Sequence, residues 1–321
     1  MGYLAEGRWI GTDRRRTGQF IRSDSQFRNW ITPDGAAGPS GTAGFQAEAG
    51  RYHLYVSLAC PWASRTLIFR ALKGLGSLVG LSVTHWLLGE HGWTFTPADG
   101  VIPDSINGVE FLYQLYARAD PSYSGRVTVP VLWDRQRHTI VSNESADIIR
   151  MFNSAFDGLG AASGDYYPAP LRADIDRINA RIYDTLNNGV YQAGFAGSQE
   201  AYAAAAAAVF ATLDWLEDQL AERRFLVGDA PTEADWRLFT TLVRFDAVYH
   251  GHFKCNLRRL IDYPNLWSYT RELWQWPKIA ATVNLAHSKR HYYMSHRQIN
   301  PAGIVPIGPS LDFEAPAARK L

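Results

Sequence analysis

Two cysteines occur in this 321-residue chain, Cys60 and Cys255, and only the first stands where a thiol becomes reactive. The alternating run from Arg51 to Leu58 reads as a strand, and Pro61 follows Cys60 directly. Beyond Ala63, the apolar residues Leu67, Ile68, Ala71 and Leu72 recur at helical spacing. The pattern is strand, tight turn, helix, with a sulfur at the helix start. A sulfur there meets the positive end of the helix dipole and backbone N–H groups that lack partners inside the helix. Both favour thiolate over thiol. Proline at the first helical position has no N–H to leave unpaired. The segment therefore predicts that Cys60 is a nucleophile. Cys255 lies among Lys254, Asn256, Arg258 and Arg259 with no such setting, and reads as structural.

A second group with chemical potential is Glu144-Ser145, at the predicted start of another helix. Backbone N–H groups and a hydroxyl there suit a carboxylate, and Glu144 suits an ammonium. The same two residues also fit an ordinary helix cap. Thr232-Glu-Ala-Asp235 has the spacing of a capping box, which makes Asp235 structural. No Cys or His spacing suits a metal, so none is expected.

The elements that must hold these groups fall into two kinds. From residue 51 the order is a strand through Leu58, a helix after Cys60, and an apolar run Leu81–Leu88 read as a second strand. An insertion follows over 89–125. Then a hairpin is predicted from Val127–Asp134 and Thr139–Val141, followed by a helix over Ala146–Phe152. That order predicts a small α/β domain over 51–157. After a glycine-rich joint, Leu171, Ile175, Ile178, Ile182 and Leu186 repeat at helical spacing, as do Val209, Leu213, Leu216 and Leu220. Residues 165–298 are read as an all-helical domain. Residues 1–50 are read as an extended arm, and 299–321, rich in Pro and Gly, as an irregular extension.

Composition narrows the classes of function. Hydrophobic residues make up 46% of the chain and charged residues 20%, as in a globular protein with a full core. The net charge of +1 implies no polyanionic partner, so nucleic acid is not expected. The N-terminus lacks a hydrophobic signal core, and the alanine run at 203–208 is too short for a membrane span. Two cysteines suit a reducing compartment, and the cytoplasm is the expected location. Eleven Trp and sixteen Tyr can line a site for flat ligands, although large aromatics also fill cores.

Several stretches together resemble a known family. They are Tyr55-Val-Ser-Leu-Ala-Cys60-Pro61-Trp62-Ala63, Gly92-Trp93-Thr-Phe95, Val127-Thr-Val129-Pro130-Val131-Leu-Trp133-Asp134 and Ser142-Asn143-Glu144-Ser145. To these add Asn187-Asn-Gly-Val-Tyr191-Gln-Ala-Gly-Phe195-Ala, His252-Phe-Lys-Cys255-Asn256 and Asn300-Pro-Ala-Gly-Ile-Val-Pro-Ile-Gly-Pro309. The chain resembles the glutathionyl-hydroquinone reductases, the xi class of glutathione transferases. The resemblance implies a thioredoxin-like N-terminal α/β domain, an all-α C-terminal domain and a homodimer. It implies glutathione as co-substrate, no metal, and a small aromatic glutathione conjugate as partner. It also implies that Val129-Pro130 is a cis peptide whose Val129 backbone pairs with the cysteinyl part of glutathione. Glutathione binding is carried over to Trp93, Arg126, Val129, Pro130, Glu144 and Ser145. A second pocket, for the hydroquinone ring, is expected between Cys60 and the helical domain. Its candidates are Tyr183, Tyr191, His250 and Tyr293, with Tyr191 and Tyr293 catalytic beside Cys60.

The family usually reads Cys-Pro-Trp-Ala-His-Arg, and Ser64 stands here in place of the histidine. That leaves the helix dipole as the main activator of the thiol. Two other functions fit the same residues. One is an omega-like thiol transferase or dehydroascorbate reductase. The other is a non-catalytic carrier of aromatic ligands.

Overall fold

Four strands order the segment that carries Cys60. The computed structural model describes residues 2–11 and 23–317, which divide into two units. The first holds residues 2–11, 23–164 and 282–295, and the second holds 165–281 and 296–317.

In the first unit, β3 (Tyr52–Val56), β4 (Val79–Val83), β5 (Val131–Asp134) and β6 (Thr139–Ser142) form a sheet of order β4-β3-β5-β6. β3 runs parallel to β4 and antiparallel to β5, and β5 is antiparallel to β6. Every residue of β3 is buried, as expected of a central strand covered on both faces. Helices α1 (Pro61–Leu72) and α3 (Ser145–Ser154) pack on each other, and α2 (Tyr113–Ala119) lies beside β6. The sheet is pinned at one end by a buried ion pair. The Arg51 guanidinium meets Asp134 at 2.6 Å, with Asp134 wholly inaccessible. Asp134 also accepts from the N–H groups of Gln136 and Arg137, which closes the β5–β6 turn.

The first 50 residues contain regular structure that their composition hides. β1 (Tyr3–Ala5) and β2 (Arg8–Ile10) form a hairpin. Glu6 and Gly7 both take positive φ, as a two-residue hairpin turn with right-handed twist requires. A Cβ at Gly7 would stand 2.0 Å from the Pro121 carbonyl oxygen, so glycine is needed there for space as well. Leu4 exchanges both backbone hydrogen bonds with Gly125, and Asn29 donates to Val141 of β6. The arm thus covers the β6 edge with backbone partners. Residues 12–22 lie outside the described residues, as do 318–321.

The second apolar run needs correcting. β4 ends at Val83, so His85–Leu88 are not strand but the start of the insertion. The last helix, α9 (Leu285–Ser295), groups with the sheet unit although its position in the chain put it among the helices.

The second unit is built from α4 (Arg172–Ile182), α5 (Gly189–Gly194), α6 (Gln199–Glu222), α7 (Glu233–Arg244) and α8 (Pro264–Trp274). Ile175, Ile178, Ile182 and Leu186 are buried, as are Val209, Leu213, Leu216 and Leu220. α7 is buried along its whole length and starts with the capping box of Thr232 and Asp235. The Asp235 carboxylate accepts from Leu226 N, Thr232 N and the Tyr269 hydroxyl, which is a structural role. The tail closes on α8: the Phe313 ring stacks on Trp274 at 4.5 Å, and Gln275 Nε2 donates to the Phe313 carbonyl. No helix among the described residues is long and apolar enough to cross a membrane.

Candidate active site

Sheet register brings the chemistry to one end of the strands. Tyr55 faces Val131 and Leu132 faces Ser142, so the end of β3, the start of β5 and the end of β6 lie side by side. Val56 faces Val83, so β4 ends there too. Four segments therefore leave or enter the sheet at one end of its strands: the turn to Cys60, the loop through Val129-Pro130, the start of α3, and the insertion that carries Trp93.

Cys60 is the N-cap of α1, with extended backbone angles (φ −78°, ψ 121°), and Pro61 takes the first helical position. Its carbonyl accepts the first intrahelical bond, from Ser64 N at 2.9 Å. The first turn of α1 holds no acidic residue, so no side-chain charge offsets the positive end of the dipole. The thiol is half-buried and lies 3.7 Å from the Val129 carbonyl oxygen. Val129-Pro130 is a cis peptide, as the resemblance implied. Cys60, Val129 and Pro130 therefore form one contiguous group.

Glu144 is the N-cap of α3 and Ser145 its first residue. Glu144 Oε1 accepts from Ala146 N at 3.0 Å, and Oε2 accepts from the Ser25 hydroxyl at 3.1 Å. The Ser25 contact comes from the N-terminal arm, and nothing in the local sequence announced it. Trp93 is buried, its indole stacked on the His291 imidazole of α9. Arg126 is exposed, and its carbonyl accepts from the Tyr123 hydroxyl.

The ring-binding candidates divide between the units. Tyr293 lies half-buried on α9, in the same unit as Cys60. Tyr183, Tyr191 and His250 lie half-buried in the helical unit. Tyr191 belongs to an aromatic group with Phe195, Tyr249 and Phe253, with ring centroids 5.4 to 6.3 Å from its own. Tyr183 opens a π-helical segment, Tyr183–Asn187, and His250 directly follows another, Phe245–Tyr249. Such segments widen a helix locally and recur at functional sites. They depend on tertiary packing, so periodicity did not disclose them.

Ser64 is wholly buried, and its hydroxyl meets no hydrogen-bond partner, the Cys60 sulfur included. Cys255 is buried too, and burial pushes its thiol up to about 12. It is inert as a nucleophile near neutrality.

Comparison with known proteins supplies the family. Residues 59–155 match the glutathione S-transferase N-terminal domain, and 199–272 match the C-terminal domain. The chain is 59% identical to glutathionyl-hydroquinone reductase YqjG of Escherichia coli K12, over 99% of this chain and 98% of that protein. It is 56% identical to glutathionyl-hydroquinone reductase PcpF of Sphingobium chlorophenolicum, over 97% of each. The chain belongs to the glutathionyl-hydroquinone reductases of the glutathione transferase superfamily. The glutathione-bound structure of YqjG superposes with a TM-score of 0.94 at 56% identity, covering 100% of this chain and 99% of that one. A xi-class glutathione transferase from Natrialba magadii gives 0.91 at 48% identity, with 99% and 96% covered. These likenesses establish the fold: a glutathione transferase with a mixed-sheet N-terminal domain and a helical C-terminal region.

Proposed function

We propose that this reductase removes glutathione from glutathionyl-hydroquinones, with glutathione as reductant and Cys60 as nucleophile. The observation that carries the reading is the half-buried Cys60 thiol. It caps α1 against the cis Val129-Pro130 loop, in a chain closely similar to proteins named for that activity.

An aryl carbon–sulfur bond resists a thiolate, because an aryl carbanion is a poor leaving group. A keto tautomer of the hydroquinone ring removes the obstacle, since the departing carbon becomes the α-carbon of an enolate. Cys60 thiolate attacks the glutathionyl sulfur. The carbon–sulfur bond breaks, its electron pair passes to the ring carbon, and that carbon takes a proton. Tyr191 and Tyr293 are the proposed proton and hydrogen-bond donors. Hydroquinone leaves, and Cys60 carries a mixed disulfide with glutathione. A second glutathione attacks that disulfide, releasing oxidised glutathione and Cys60 thiolate. The chain holds only two cysteines, and Cys255 is buried with its thiol pushed up by that burial, which supports glutathione itself as the resolving thiol.

In this reading Val129 pairs through its backbone with the cysteinyl unit, and Glu144 and Ser145 hold the γ-glutamyl ammonium and carboxylate. Trp93 covers the tripeptide, and Arg126 pairs with the glycyl carboxylate. Tyr183 and His250 complete the ring site. The working form is proposed to be a homodimer, which sedimentation of the purified chain checks, and its proposed setting is a reducing cytoplasm.

One finding favours a second reading. A protein named glutathione S-transferase omega-like 2, from Schizosaccharomyces pombe, is 48% identical over 93% of this chain and 96% of its own length. A thiol transferase or dehydroascorbate reductase activity would use the same Cys60. Side-by-side rates with glutathionyl-menadiol, a simple mixed disulfide and dehydroascorbate decide between them. Faster turnover of the hydroquinone conjugate supports the first reading, and faster turnover of the others overturns it.

A further inference from the structure

Helix α9 presents three polar side chains at i, i+4 and i+8: His287, His291 and Ser295. That spacing puts them on one face. Each bonds to the backbone of the insertion that carries Trp93. His287 Nε2 lies 2.6 Å from the Asp99 carbonyl oxygen, and His291 Nδ1 lies 2.9 Å from the Trp86 carbonyl oxygen. Ser295 Oγ accepts from Leu88 N at 3.0 Å. A carbonyl only accepts, so each of these ring nitrogens carries the proton and donates.

His291 does more than tie the backbone. Its imidazole face lies on the Trp93 indole, with centroids 5.0 Å apart and planes 20° apart. The ring sits edge-on to Tyr292 on its own helix. One side chain thus fixes the insertion at Trp86 and, seven residues on, the plane of Trp93. Burial holds the imidazole neutral down to about pH 4, so it stacks as an uncharged ring across the working range.

We propose that His291 is a positioning residue for glutathione binding, acting through Trp93: it sets the indole in the plane that covers the tripeptide. The proposal rests on the reading that Trp93 contacts glutathione. It assigns α9 a part in the co-substrate site through His291, apart from the ring-binding role proposed for Tyr293. A stacked pair of this kind is worth about 2- to 10-fold in an equilibrium constant.

The test is calorimetric titration of the full chain with reduced glutathione, for wild type, Trp93→Ala, His291→Ala, His291→Asn and the double variant Trp93→Ala/His291→Ala. Thermal midpoints and the rate of Cys60 alkylation by iodoacetamide are measured alongside. His291→Asn keeps a donor for the Trp86 carbonyl and loses the ring, so it guards against a misfolded alanine variant. The expected result is that both His291 variants bind glutathione about 2- to 10-fold more weakly. The double variant then binds no more weakly than Trp93→Ala alone, and alkylation of Cys60 stays near the wild-type rate. Non-additivity of that kind is the mark of one residue acting through the other. If Trp93→Ala weakens binding while His291→Asn, with an unchanged thermal midpoint, binds as wild type, the proposal falls and the reading of Trp93 stands. Additive losses in the double variant also overturn it. Wild-type binding by Trp93→Ala removes the reading beneath it.

Discussion

Glu144 has two jobs in this account, and one substitution separates them. Its Oε1 caps α3 by accepting from Ala146 N, while Oε2 accepts from the Ser25 hydroxyl. A carboxylate oxygen has two lone-pair sites; Oε1 also accepts from the Ser145 hydroxyl at 3.4 Å, so Oε2 is the oxygen that keeps capacity for the ammonium of a bound γ-glutamyl group. Changing Glu144 to Gln retains an oxygen that can cap the helix but removes the charge. Changing it to Ala removes both. A lost N-cap costs about 1 kcal/mol, roughly 2–4 °C in the thermal midpoint of a domain this large. A lost charge-assisted hydrogen bond costs about 1.5–3 kcal/mol, roughly 10- to 150-fold in affinity. Glu144→Gln is thus expected to melt near the wild-type temperature while its KM for glutathione rises roughly 10- to 150-fold. Glu144→Ala is expected to show the same rise and a lower melting temperature. Steady-state kinetics and thermal melts on the two variants read this directly. An unchanged KM in Glu144→Gln would refute the reasoning and leave Glu144 as a helix cap only.

Two further outcomes follow from the sheet unit. Arg51→Ala leaves the inaccessible Asp134 carboxylate without its guanidinium, and about 3–5 kcal/mol of stability is expected to go, measured by urea unfolding. Burial lowers His53 and His291 from the ordinary 6.5 to about 4. Between those values the unfolded chain takes up protons that the folded chain refuses, so stability is full above about pH 6.5 and falls as the pH drops toward 4. The expected slope is about 1.4 kcal/mol per pH unit for each histidine, read from denaturant midpoints at pH 7 and pH 5.

Local signals carried the reactive half of the molecule. Alternation through Val56, the Cys60-Pro61 pair and the apolar spacing of α1 are all contained within about twenty residues, so strand, turn and helix were legible without tertiary knowledge. The cap of α3 was legible for the same reason. The apolar run at 81–88 misled because Trp86 and Leu88 owe their setting to α9, some two hundred residues away. No local pattern separates a strand from a loop held by a distant helix. The same distance hid where α9 packs, the support that His291 gives Trp93, and the contact of Ser25 with Glu144. α2 went unseen inside the insertion because it is short and its N-cap residue, Leu112, offers no side-chain cap. The hairpin at Tyr3–Ile10 has three-residue strands, too short for alternation to register, although Glu6-Gly7 does carry turn chemistry. Tyr191 was reached through the resemblance. The aromatic group around it, Tyr249 and Phe253 included, came only with the structure.

The central claim concerns one sulfur atom, and intact-protein mass spectrometry after brief exposure to oxidised glutathione at neutral pH tests it most directly. The account predicts a gain of a single glutathione, located at Cys60 by peptide mapping, absent from Cys255, and removed by fresh reduced glutathione. A native protein that gains nothing, or gains the adduct at Cys255, would contradict it.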